Sequence, residues 1–97
     1  MIIYIAGRIK DDPDYKIKFH AAEEYLKEMG HTVLNPASLP LGLPEEAYMP
    51  ICLAMLNAAE AIFMLEGAEQ SDGAMLERNF AIYQNKVIIL DPVRVKE

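Results

Sequence analysis

The sequence predicts an α/β domain, a parallel sheet with helices on both faces, from three observations. Short apolar runs alternate with helical patterns along the chain, and each parallel connection must cross a sheet face, right-handed, to reach the next strand. The apolar runs are nearly unbroken by polar residues, as expected of strands covered on both sides. The 97 residues, 53% hydrophobic and 25% charged, leave room for one core, so residues 1–97 are read as one folded domain.

Residues 2–6, Ile-Ile-Tyr-Ile-Ala, end at Gly7 and form the first strand. Asp12 and Pro13 read as an N-cap and first-turn pair, and Phe19, Ala22, Leu26 and Met29 recur at helical spacing until Gly30, which gives a helix over about 13–29. Thr32 to Leu34 is the second strand. Asn35-Pro36 opens an irregular, proline-punctuated loop running through Pro44, and loops this long often serve sites. Glu45 and Glu46 lead a helix to about Ala59, in which Pro50 either makes a kink or marks the true first turn. Its apolar residues Ile51, Leu53, Met55 and Leu56 occupy more of the circumference than one stripe needs, so both the sheet and a partner subunit are expected to cover it. Ala61 to Leu65 is the third strand. Ser71 to about Asn85 is the third helix, with Leu76, Phe80 and Tyr83 on its apolar face. Val87 to Leu90 is the fourth strand, ended by Asp91-Pro92, and the tail beyond is expected to fray. These elements give a flavodoxin-like or Rossmann-like three-layer sandwich with about four strands in the order 2-1-3-4.

Charge and composition narrow the function. Nine Lys and Arg against fifteen Asp and Glu give a net charge of -6, and the densest basic stretch, Arg8, Lys10, Lys16 and Lys18, is interleaved with Asp11, Asp12 and Asp14. Nucleic acid is therefore not an expected partner, whereas one small anion is compatible with this pattern. Pro50 and Glu60 interrupt the longest apolar candidate for a membrane span, no leader pattern opens the chain, and the lone Cys52 forms no internal disulfide. A cytoplasmic protein without membrane association is expected. A chain of this length buries only about 60–65% of its unfolded surface, and Met49, Ile51 and Met55 on the second helix add apolar surface, so a homodimer or higher homo-oligomer is expected.

In such sheets ligands collect beyond the carboxyl ends of the strands, at the switch point between the first and third. Gly7 to Lys10, Glu66 to Gly73 and the loop after Leu34 meet there. Neither the G-x-G-x-x-G nor the G-x-x-x-x-G-K-[ST] spacing occurs, and His20 and His31 read as surface or helix-end residues, so no cofactor and no metal are expected. The stretch Ser71-Asp72-Gly73-Ala74-Met75-Leu76-Glu77 sets a hydroxyl, backbone N–H groups and a carboxylate around one helix start. That pattern suits an anion, and it suits an ordinary capped helix equally.

Three ordered motifs resemble the nucleoside 2-deoxyribosyltransferase-like superfamily, and in particular a short branch of it related to the 2'-deoxynucleoside 5'-phosphate N-hydrolases. Ile3-Tyr4-Ile5-Ala6-Gly7 resembles its opening Y-[IFL]-A-G. Gly30-His31-Thr32-Val33-Leu34-Asn35-Pro36 resembles G-H-x-V-x-N-P, and Ser71 to Glu77 resembles the S-x-G-x-x-x-E of its catalytic helix. The resemblance implies that Glu77 attacks the anomeric carbon of a 2-deoxyribonucleoside or its 5'-monophosphate, expels the base and forms a covalent sugar ester that a second base or water resolves. It implies that Tyr4 hydrogen-bonds Glu77, the alternative for Tyr4 being a core aromatic. It further implies a 5'-phosphate grip by Gly7, Arg8, Ile9 and Lys10, completed by Ser71 and Gly73.

One departure bears on catalysis. Where the family's second helix commonly carries an inward aspartate, eight residues before the acidic residue that opens the third strand, this chain has Cys52. A neutral thiol is a poor acid at neutral pH, and its other reading is a small buried apolar residue. Asp72 or Glu46 is then left to supply a proton. Two functions stay open: glycosidic cleavage or transfer through Glu77, and a noncatalytic nucleotide-binding module for sensing or assembly.

Overall fold

Strand β1 (Ile2–Ala6) takes the centre of the sheet because its residues are apolar toward both faces. The structure, a computed structural model, describes residues 1–92. The remaining elements are α1 (Tyr15–Glu28), β2 (Thr32–Leu34), α2 (Glu45–Ala58), β3 (Ala61–Met64), α3 (Asp72–Tyr83) and β4 (Val87–Leu90). Short 3-10 turns at Pro36–Ser38 and Ala68–Gln70 precede α2 and α3. The four strands are all parallel in the order β2-β1-β3-β4, with Tyr4 opposite Leu34 on one side and Ile62 on the other. The expected α/β class, strand number and strand order are those observed.

Alternation along the strands divides the core into two layers. Ile3, Ile5, Ala61, Phe63 and Leu65 face α1, where Phe19, Ala22 and Leu26 cover them. Tyr4, Ala6, Ile62 and Met64 face α2 and α3, where Cys52, Leu56, Ala74 and Ala81 cover them. Removing side chains such as Phe19, Ile5 and Leu56 from water contributes about 1.5–3 kcal/mol each. At the outer edge β4 is covered less, with Val87 49% and Leu90 50% exposed.

Local chemistry adjusts several of the expected boundaries. Asp12 does not cap α1. Its side chain accepts from the Asp14 N–H at 3.0 Å and pairs with Lys18 at 2.8 Å, which builds a turn through Pro13 and delays the helix to Tyr15. Pro50 is not the first turn of α2: Pro44 takes the N-cap position, Glu45 and Glu46 lie in the first turn, and Pro50 sits inside the helix. Of the expected apolar face of α3, Leu76 and Tyr83 are turned outward, 48% and 85% exposed, Phe80 is half-buried against the core, and Ala74, Glu77 and Ala81 face the sheet. Small side chains let α3 approach the strands closely. Met29 is likewise exposed, past the end of α1. The expected fraying of the tail concerns residues 93–97, outside the described residues. Among the described residues, no helix is long and apolar enough to cross a membrane.

Gly7 ends β1 where the chain passes closest to the α1 layer. A Cβ built there would lie 2.7 Å from Leu65 Cδ1 and 3.1 Å from Phe19 Cζ. Gly7→Ala is expected to lower stability by about 1–3 kcal/mol through overpacking, read as a fall in the denaturant midpoint at unchanged m-value.

Candidate active site

The carboxyl end of β1 with the loop after it, the start of α2 and the start of α3 enclose a cavity of about 530 Å³. Tyr4, Gly7, Arg8, Ile9, Lys10, Ser71, Asp72, Gly73 and Glu77 all line it, so sequence-distant candidates meet in one hollow. Pro36 and Leu43, from the proline-rich loop, and Ile9 supply apolar wall. Glu66, expected at this end, instead lines a second, smaller hollow of about 390 Å³ on the α1 side, with Tyr25 and Phe63.

Glu77 lies one and a half turns into α3, on the side facing the sheet, and is 5% exposed. The Tyr4 hydroxyl donates to its Oε2 at 2.6 Å across 73 positions of sequence. Two forces act on this carboxyl. Burial disfavours its charge and raises its pKa from 4.5 to about 7, while the Tyr4 hydrogen bond opposes that rise. Tyr4 is itself fully buried, and burial first and the Glu77 charge second push its pKa far above the ordinary tyrosine value, so it stays a donor. Tyr4 therefore fills both of its expected roles, as core aromatic and as partner of Glu77.

Around the mouth, Ser71 caps α3 by accepting from the Ala74 N–H at 3.1 Å, which leaves its own hydroxyl proton to donate. Arg8 Nη1 reaches the Gln70 Oε1 at 3.4 Å, joining the loop after β1 to the approach to α3. Gly73 lacks a side chain where a Cβ would lie 3.1 Å from Met49 Cε. Arg8 and Lys10 thus lie with the α3 N-terminus at one corner of a cavity whose floor is a carboxyl group, and Asp11 and Asp72 line it beside them.

Cys52 does not line the cavity. It is fully buried behind it, where burial raises the thiol pKa and the hydroxyls of Tyr4 and Tyr48, as hydrogen-bond partners, counter that rise. Glu46 is not part of the lining, and its neighbour Glu45 is. Tyr48, Met49 and Gln70 are also site residues that motif reading missed. The signal for three of these is helical spacing: Glu45, Tyr48, Met49 and Cys52 recur at i, i+3, i+4 and i+7, the one face of α2 directed at Glu77. Among the described residues, no group of three or more His, Cys, Asp or Glu is placed to hold a metal ion.

A parallel α/β sandwich with a pocket at the strand ends, floored by one buried acidic group, is an arrangement of the doubly wound class. The chain belongs to the family described as Domain of unknown function (DUF4406), whose model matches residues 1–90. Among solved structures it is similar to a 2-deoxyribosyltransferase from the psychrotolerant bacterium Bacillus psychrosaccharolyticus, with 23% identity and a TM-score of 0.75 over 93% of this chain and 71% of that chain. That likeness establishes a shared fold. No curated protein matches the chain.

Proposed function

We propose that this chain cleaves or transfers the N-glycosidic bond of a 2-deoxynucleoside or its 5'-monophosphate through Glu77. One observation carries the reading: a carboxyl buried at the floor of a nucleoside-sized hollow, its Oε2 held at 2.6 Å by a tyrosine that stays protonated. A glycosidic transition state resembles an oxocarbenium ion, which an adjacent carboxylate stabilises and then bonds to. The ionised Glu77 attacks the anomeric carbon as the bond to the base breaks, giving a sugar ester, and a second base or water displaces Glu77 to complete the cycle. Asp72 and Glu45, both lining the pocket, are placed to assist the departing base, in place of the family aspartate that Cys52 replaces. The ordered motifs and the shared fold with a 2-deoxyribosyltransferase support this reading, as a short branch related to the 5'-phosphate N-hydrolases.

The test is incubation with each deoxynucleoside and each 5'-monophosphate, with free base followed by chromatography. Base release abolished by Glu77→Ala is the expected result. A nucleotide that raises the melting temperature while no base appears favours the noncatalytic module, and the absence of both effects overturns the pocket assignment. Within the same reading, Gly7 to Lys10 with Ser71 and Gly73 hold the 5'-phosphate. Arg8→Ala is expected to reduce the preference for monophosphate over nucleoside by about 10–100-fold in kcat/KM, the equivalent of one or two charge-assisted hydrogen bonds. Self-association also belongs to this proposal. Met49, however, faces the pocket, so a second copy would meet α2 through Ile51, which is exposed, and the half-buried Met55. Sedimentation as a monomer at micromolar concentration removes the homodimer.

A further inference from the structure

The pocket wall made by Pro36 and Leu43 belongs to residues 35–44, and part of its anchorage lies outside the pocket. Pro44 fixes the far end, its carbonyl accepting the Ala47 and Tyr48 N–H groups at 2.9 and 3.0 Å as α2 begins. The near end is held by side chains. Asn35 accepts the Ala37 N–H on its Oδ1 at 2.8 Å and donates from Nδ2 to Glu23 Oε1 at 2.8 Å. Glu23 stands on α1 and does not line the pocket, and Lys27, one turn further on, takes its other oxygen at 2.7 Å.

A carboxylate only accepts, so Glu23 takes the Nδ2 end of the Asn35 amide and thereby turns Oδ1 toward the backbone. There Oδ1 caps the 3-10 turn Pro36–Ser38. That turn seats the buried Pro36 in the pocket wall, Ala37 against the α1 layer and Leu39 against the opposite layer. Past Leu39 the chain leaves Leu41 75% exposed, turns at Gly42 with φ +88°, and returns to the pocket at Leu43. Lys27 first and Asn35 second hold the Glu23 carboxyl below its ordinary pKa, so it is charged at neutral pH and its bond to the amide is charge-assisted.

We propose that Glu23 and Asn35 are positioning residues that set the Pro36 and Leu43 wall of the pocket from outside it. An apolar wall packs on the flat faces of a bound ligand and not on the bond being broken. Its displacement therefore weakens the ground state and the transition state alike, which raises KM and spares kcat.

The experiment compares Glu23→Ala, Asn35→Asp and the double variant, each shown to be folded by its melting curve. Asn35→Asp keeps an acceptor for Ala37, loses the donor, and sets a second carboxylate against Glu23. On the substrate-free protein, NMR is expected to show exchange of the Ala37 amide hydrogen quickened about 5–20-fold in each single variant, with the Leu43 methyl signals moved. In the double variant the repulsion is gone and the aspartate caps the turn unaided, so both readouts are expected to return part of the way to the parent. Unchanged exchange overturns the proposal, as do additive losses in the double variant. Faster exchange beside unmoved Leu43 signals also overturns it, because the effect then stops at the turn. With the monophosphate whose base is released, each single variant is expected to raise KM about 5–20-fold at a kcat within about 2-fold of the parent. A lower kcat at unchanged KM, the mark of a smaller folded fraction, overturns it. This kinetic arm rests on the glycosidic reading. The exchange and methyl measurements need no substrate, so an inactive parent protein removes that reading and leaves the positioning role to be decided by them.

Discussion

Glu77→Gln is expected to abolish base release, a loss of at least about 10³-fold, while making the protein more stable above neutral pH. The first effect follows, on the proposed glycosidic reading, from replacing the attacking carboxylate with an isosteric amide that still accepts from Tyr4. The second follows from linkage. Glu77 binds its proton more tightly in the folded state, pKa about 7, than at its ordinary value of 4.5. Stability is therefore fullest below pH 4.5 and declines as pH rises toward and through 7, by about 3 kcal/mol once the carboxyl is fully ionised. An amide escapes that penalty. Melting curves of the two proteins should nearly coincide at pH 5 and separate at pH 8, with the variant higher by on the order of 10 °C. Curves that stay together at pH 8 would mean that Glu77 is ionised at little penalty, and with it the account of its burial would fall.

Tyr4→Phe is expected to move the same carboxyl the other way from neutral function. It removes the one donor that favours the charged form, so the Glu77 midpoint should rise by a further 1–2 units, about the value of a hydrogen bond to a charged group. Base release at pH 7 should fall roughly 5–50-fold, as the ionised fraction falls, and recover in part as pH is raised. A variant whose rate falls equally at every pH would assign Tyr4 a role in the transition state beyond keeping Glu77 ionised. The substitution also leaves a buried oxygen without its partner, so the variant should lose about 1–3 kcal/mol of stability where Glu77 is charged and less where it is protonated.

The fold was legible because its strands are short apolar blocks separated by helices with clear periodicity, and β2, β4 and the start of α2 fall on the residues expected of them. What failed was the choice of face. On α3 the large residues Leu76, Phe80 and Tyr83 form a convincing stripe, yet only Phe80 of them packs against the core, and Ala74, Glu77 and Ala81 occupy the inner side. Ranking by hydrophobicity misses this, because close approach of a helix to a sheet selects small side chains. The site shows the same division. Tyr4, Gly7 and Glu77 lie in motifs tied to strand ends, whereas Glu45 and Tyr48 reach the pocket through the path of residues 35–44, an irregular segment with no period from which a direction can be read. Cys52 was singled out for what it replaces, and its actual neighbours, two tyrosine hydroxyls, depend on packing that a single sequence does not display.

The central place of β1 also sets the order in which the molecule assembles during synthesis. Its two neighbours arise about 30 and 60 positions downstream, and the acceptor for Tyr4 comes 73 positions later. The nascent chain must therefore carry one edge of Ile-Ile-Tyr-Ile-Ala unpaired until β3 has emerged, and non-local pairing of this kind is slow to form. Fragments that stop before α3 should behave as chaperone clients, because they lack the helix that covers Tyr4 and carries its acceptor Glu77.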